Sequence, residues 1–357
     1  MKISTQGTRS TPNSKLIKMK RLESNLKIQS LTLECGETLK DVNVRYNVFG
    51  DINEHTDRVV WVCHAFTANS DPVDWWPNVV GEGFLFDPNT TPVVCVNILG
   101  SCYGTTGALS INPDTNKPYF LSFPLITFRD IVNVNQKVKE HLGVQKIWVL
   151  TGGSIGAFQV MEWELMYPGT TENAILIATT AKSSPWVIAF SQSQRLSLLA
   201  DQTFKQEVIG GGNEGLKAAR SIALLSYRGR SSYNITQQDQ SEELLDGYRA
   251  KTYQTYQGEK LVKRFDAYTY YTLLGGLDSH NVGRNRGGVE KALNQIKAKT
   301  LVVGIDSDIL FPTEEQKQLA AFIPNATYAE IHSNFCHDGF LIEHQQLTKI
   351  IKQFLKL

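Results

Sequence analysis

Gly152-Gly153-Ser154-Ile155-Gly156 is where residue types and spacing in this 357-residue chain first suggest chemistry. The run matches G-x-S-x-G and stands between a strand-like stretch, KIWVLT, and a helical one, AFQVMEWELMYP. A sharp strand-to-helix turn leaves little room for side chains beside the serine, which is the steric reason for glycine there. The turn lifts the Ser154 hydroxyl above the end of the strand. It also aims the backbone N–H of Ile155, at a helix N-terminus, into the same space, where a developing oxyanion can be stabilised. Such an arrangement fits nucleophilic acyl transfer.

A serine hydroxyl is a weak nucleophile at its free pKa and needs a base, normally a histidine held by a carboxylate. With this motif the carboxylate and the histidine follow the serine in that order. Of seven histidines, His337 lies in the loop after ATYAEI and before the last helix, and is the leading candidate. His332, at the end of that strand, is second. Asp306 and Asp308 both follow TLVVGI, and position alone does not separate them. His64 closes the strand VVWVC; it fits either the wall of a pocket or a satisfied structural role. His280 would shape the contact of a neighbouring segment with the pocket, and His55, His141 and His344 fit the surface. Arg228 and Arg230 follow a long helical run and suit either the helix dipole or substrate binding.

The elements that must position these residues alternate along most of the chain. LKIQSLTLEC and VNVRYNVFG read as strands, VVWVCH and PVVCVNIL as buried central strands, and DIVNVNQKVKEHLG as a helix stopped by its glycine. Residues 65 to 91 read as loops. Strand, turn, helix and strand follow through NAILIAT, which points to a largely parallel sheet with helices on both faces. From about Ser183 to Ala292 the rhythm becomes helical, and then TLVVGI, TEEQKQLAAFI, ATYAEI and a terminal helix complete the sheet. The expected organisation is a flexible tail over 1–24, a core in two parts over 25–182 and 293–357, and a helical lid over 183–292. The glycine run IGGGNEG lacks the preceding strand a dinucleotide site needs and reads as an interhelical turn.

A formal net charge of +1, with 41% apolar and 20% charged residues, describes an ordinary globular protein and argues against a polyanion-binding role such as nucleic acid. No apolar run follows the basic N-terminal stretch to make a signal peptide, and none approaches a membrane span, so a cytoplasmic protein is expected. The five cysteines form no CxxC pair, which fits a reduced compartment. No set of His, Cys and carboxylates has metal-ligand spacing, so no metal is assigned.

At these residues the sequence resembles homoserine O-acetyltransferase, a family of the α/β-hydrolase fold. The strongest pieces are HAFTANS, NILGSCYGTTGALSINP, TGGSIGAFQVMEWELMYP, ARSIALLSYRG, KRFDAYTYYTLLGGLDSHNVGRNRGG, VVGIDSDILFP and CHDGFLIEHQQL. The resemblance implies Ser154 as nucleophile, Asp308 as the carboxylate and His337 as the base. It implies an oxyanion hole made by the N–H groups of Phe66 and Ile155. It also implies that Asp338 receives a substrate ammonium, that Arg228 receives its carboxylate, and that Tyr233 is a further contact. No tightly bound cofactor is expected; acetyl-CoA is the co-substrate and L-homoserine the acceptor, in a ping-pong reaction beneath a lid through which two subunits meet. The chain departs from the family pattern at Ala108, Ala157, Tyr268, Asn281 and Cys336, and none of these removes a triad atom. An esterase or thioesterase would use the same triad, differing mainly in which nucleophile reaches the acyl-enzyme.

Overall fold

The computed structural model describes residues 20–53 and 56–357. Eight strands form one sheet: β1 (Arg21–Thr32), β2 (Thr38–Phe49), β3 (Val59–Cys63), β4 (Val93–Val96), β5 (Ile147–Gly153), β6 (Thr171–Ile177), β7 (Lys299–Ile305) and β8 (Ala326–Ile331). Their spatial order is β1-β2-β4-β3-β5-β6-β7-β8. The pairs β1·β2 and β2·β4 are antiparallel, and every other neighbouring pair is parallel.

Strand β1 opens at Arg21, opposite Phe49 of β2. Residues 21–24, assigned above to the tail, are therefore part of the sheet. Most of β1 is exposed, so its first residues carry no apolar alternation to mark them. Residues 1–19 of that tail, and His55, lie outside the described residues.

The central strands are apolar throughout because both their faces are covered. Every residue of β3 and β4 is buried. Val59, Trp61 and Cys63 face one core, shared with helices α1 (Phe128–His141) and α2 (Ile155–Met166). Val60 and Val62 face the other, into which α9 (His344–Leu355) inserts Leu347, Ile351 and Phe354. A capping box between Thr127 and Asp130 starts α1. Beyond its last turn, Gly143 takes the left-handed conformation, φ 66°.

Between β6 and β7 the chain forms α3 (Pro185–Ala200), α4 (Asn213–Thr236), α5 (Arg249–Val262), α6 (Ala267–Ser279) and the short α7 (Val289–Leu293), with no strand among the described residues. Helix α8 (Thr313–Phe322) then joins β7 to β8. Helix α4 is broken at Gly229, where φ is 62° and ψ 175°. The aromatic run of α6 supplies the core of this segment. Tyr268 stacks on Phe204, donates to the Phe204 carbonyl at 2.9 Å and accepts the Val208 N–H at 3.2 Å, so its hydroxyl closes the glycine-rich turn.

Candidate active site

Ser154 sits at the tip of the β5–α2 turn with φ 58° and ψ −130°, a backbone that L side chains rarely adopt. Its neighbours explain the glycines. A Cβ on Gly156 would stand 2.2 Å from the Cys63 carbonyl oxygen, and one on Gly152 2.5 Å from the backbone of Gly156. A Cβ on Gly153 would meet the Phe340 ring at 2.5 Å. The Ser154 N–H donates to the Ile177 carbonyl at 2.9 Å and ties the turn to the end of β6. Ile155 follows as the first residue of α2, where a helix has no internal partner for its N–H.

Ser154, Phe66, Tyr227, Arg228, His337 and Asp338 line one cavity of about 490 Å³. His337 belongs to a single helical turn, Cys336–Asp338, that follows β8. Its Nδ1 lies 2.7 Å from Asp308 Oδ2, and both side chains are buried. The other oxygen of Asp308 accepts the N–H groups of Leu310 at 2.8 Å and Phe311 at 3.1 Å, which fixes the carboxylate. With Nδ1–H given to Asp308, Nε2 is free to take a proton. Burial pulls the His337 pKa down, but the charge and hydrogen bond of Asp308, with the charge of Asp338, together outweigh it and hold the ring above its ordinary 6.5. The other pair, Asp306 and His332, also touch, but the His332 side chain is 84% exposed. Position along the chain leaves two acids and two histidines open; the fold buries one pair, whose histidine lines the cavity of Ser154, and leaves the other histidine in solvent.

Arg228 Nε lies 2.6 Å from Asp338 Oδ2 across the cavity wall. That nitrogen makes no hydrogen bond, so the contact is one of charge, off the N–H axis. Tyr233 is not among the cavity-lining residues. Its hydroxyl is buried without a partner, its ring meets Tyr253 edge-on, and burial pushes its pKa up to about 12.

Among the remaining histidines, His64 is wholly buried and its Nε2 accepts the Ile98 N–H at 3.1 Å. Nδ1 therefore carries the proton and donates to the Ala65 carbonyl at 2.9 Å. Desolvation lowers the pKa of His64 to about 4, so the ring stays neutral. His280 is buried too, stacked on Phe158 at 3.6 Å, and is not a cavity residue.

Arg220, Lys260 and Arg264 also line the cavity, and the sequence reading gave none of them a role. Arg220 and Lys260 come from α4 and α5, and Arg264 from the turn after α5. Helical spacing says which residues share a face but not which cavity that face meets. The signals available were two blocks of family resemblance, ARSIALLSYRG, which includes Arg220, and KRFDAY, which includes Arg264.

The model of the alpha/beta hydrolase fold family matches residues 58–343. A homoserine O-acetyltransferase from Cyclobacterium marinum is 42% identical, over 91% of this chain and 93% of its own length. The chain belongs to the homoserine O-acetyltransferase family. The crystal structure of a homoserine O-acetyltransferase from Staphylococcus aureus covers 95% of this chain and 96% of its own, with TM-score 0.80 and 28% identity. A solved esterase has TM-score 0.85 at 23% identity, covering 94% of this chain and all of its own. The architecture is therefore common to enzymes with different names, and the acyl acceptor must be argued from the site.

Proposed function

We propose that the protein transfers the acetyl group of acetyl-CoA to the hydroxyl of L-homoserine, giving O-acetyl-L-homoserine and CoA for methionine synthesis. Ser154 Oγ passes its proton to His337 Nε2 as it attacks the thioester carbon. The tetrahedral oxyanion is held by the N–H groups of Phe66 and Ile155. As it collapses the carbon–sulfur bond breaks, and the CoA sulfur takes the proton from His337. The homoserine hydroxyl then gives its proton to His337 and attacks the acetyl-serine, and Ser154 Oγ leaves with that proton. Asp308 holds the ring and stabilises its protonated form throughout.

The observation that carries this reading is the Arg228–Asp338 pair on the wall of the Ser154 cavity. An amino-acid zwitterion suits it: its carboxylate goes to Arg228 and its ammonium to Asp338, so one internal ion pair is exchanged for two. A simple ester offers neither charge. Tyr233, its hydroxyl buried and outside the cavity lining, has no part in holding the acceptor in this reading. The helices of residues 183–292 act as a lid that keeps water from the acetyl-serine, which would otherwise hydrolyse. Eleven of the eighteen exposed large apolar side chains among the described residues lie between Trp186 and Tyr256, which supports a homodimer formed through this lid. Among the described residues no helix is long and apolar enough to cross a membrane, and a cytoplasmic location is part of the proposal.

The test is the release of CoA thiol from acetyl-CoA and from succinyl-CoA, each with L-homoserine, L-serine or no acceptor. Release from acetyl-CoA that requires L-homoserine, with O-acetylhomoserine found by mass, is expected. Release independent of any amino acid would make water the acceptor and the protein a hydrolase. In Arg228→Ala the acetyl-enzyme should still form while transfer to homoserine collapses.

A further inference from the structure

The turn 64–68 carries the Phe66 N–H, and it is gripped from two sides. From within, His64 donates to the Ala65 carbonyl. That carbonyl and the Phe66 N–H are opposite edges of one planar peptide, so holding the first aims the second. From without, the grip comes from the helical insertion. Arg264 Nη1 donates to the Thr67 carbonyl, and Nη2 reaches Thr67 Oγ1 at 3.3 Å. The Tyr103 hydroxyl also reaches the Thr67 carbonyl, at 3.4 Å, and itself accepts from Arg264 Nη1 at 2.6 Å. The Arg264 carbonyl in turn accepts the Cys102 S–H at 3.7 Å, and the Phe66 ring meets Tyr270 edge-on at 4.9 Å.

Arg264 has no carboxylate partner among the described residues. Its guanidinium is spent on the two oxygens of Thr67 and on Tyr103, with the geometry of a planar fork that a lysine cannot copy. We propose that Arg264 is a positioning residue for the oxyanion hole: it fixes the turn that holds the Phe66 N–H, and so lets the insertion set the rate of acyl transfer. The inference rests on Phe66 as an oxyanion donor.

Arg264→Lys and Arg264→Gln test it, with acetylation of Ser154 followed from acetyl-CoA and from p-nitrophenyl acetate. Each variant is assayed well below its own thermal midpoint, so that partial unfolding does not enter. The second donor has no phosphates and needs no amino-acid acceptor, so its result is independent of the proposed physiological reaction. Loss of a whole oxyanion donor costs about 10²–10³-fold, and loosening one should cost roughly 10–100-fold. That fall is expected in the acylation rate constant with both donors, with KM for p-nitrophenyl acetate within about twofold of the parent's. A boronic acid, whose tetrahedral adduct on Ser154 mimics the oxyanion, should weaken by a similar factor. If p-nitrophenyl acetate acylation stays within about twofold of the parent while KM for acetyl-CoA alone rises, the proposal is overturned and Arg264 is a contact to the donor's phosphates. If Ser154→Ala still acylates, the site reading fails instead, and that result is separate from the behaviour of Arg264.

Discussion

Two histidine–aspartate pairs stand side by side at the C-terminal end of the sheet, and surroundings divide their work. His332 and Asp306 meet in solvent, where an ion pair contributes little. His337 and Asp308 meet in the interior, where the carboxylate has two backbone N–H groups to hold it. Asp308→Asn should lower kcat by about 10³–10⁴-fold, because the amide holds the wrong tautomer of the ring, whereas Asp306→Asn should change it less than about twofold. Steady-state acetyl transfer on the two variants decides between the pairs. The same carboxylate sets the pH dependence. His337 must be neutral to accept a proton, and its pKa is held above 6.5, so activity should fall as pH drops through a midpoint above that value. In Asp308→Asn the residual activity should have its acid limb displaced downward, as kcat/KM against pH would record.

At the scale of elements, α4 and the turn carrying His337 fit each other through two unusual residues. Gly229 breaks the helix at φ 62°, and a Cβ there would stand 2.0 Å from Cys336 Sγ. Cys336 itself has φ 47°, at a position where the family pattern has glycine. A side chain is thus accommodated at 336 because none is present at 229. The contact also sets Arg228, one residue before the break, against Asp338, two residues after the cysteine. Gly229→Ala should therefore cost roughly 2–4 kcal/mol through the clash and the backbone strain, and raise KM for the amino acid. Adding Cys336→Gly should return part of that loss by removing the clash, leaving the strain. Denaturant unfolding of the two single variants and the double one measures the coupling.

Over the whole molecule, one buried group ties stability to pH. Glu164 of α2 is 1% exposed, and neither carboxyl oxygen has a hydrogen-bond partner. Burial raises its pKa from 4.5 to about 7, against a smaller opposing effect of Thr171. The folded chain then holds a proton that the unfolded chain releases, so the contribution of Glu164 to stability falls as pH rises from about 4.5 and levels off above about 7. Glu164→Gln should remove this contribution and stabilise the protein at pH 8 by about 2–3 kcal/mol relative to the parent. Urea unfolding at pH 5 and pH 8 tests the sign; a larger gain at pH 5 would refute it.

What the sequence determined by itself was local. The apolar runs of β3 and β4 specified strands covered on both faces, Gly143 the end of α1, and the glycines around Ser154 the sharp turn, because each depends on neighbours a few residues away. Chain order narrowed the acid and the base to two candidates each, and resemblance to a family pointed to Asp308. Strand β1 escaped periodicity at its start because its exposed residues need not alternate. Tertiary structure decided everything that joins distant segments: the burial of one histidine–aspartate pair and exposure of the other, the meeting of Arg228 with Asp338, and the grip of Arg264 on Thr67 across 197 residues. Periodicity records which face of an element is covered, but not by what. Contacts between residues so far apart exist only once the helical insertion has packed over the edge of the sheet.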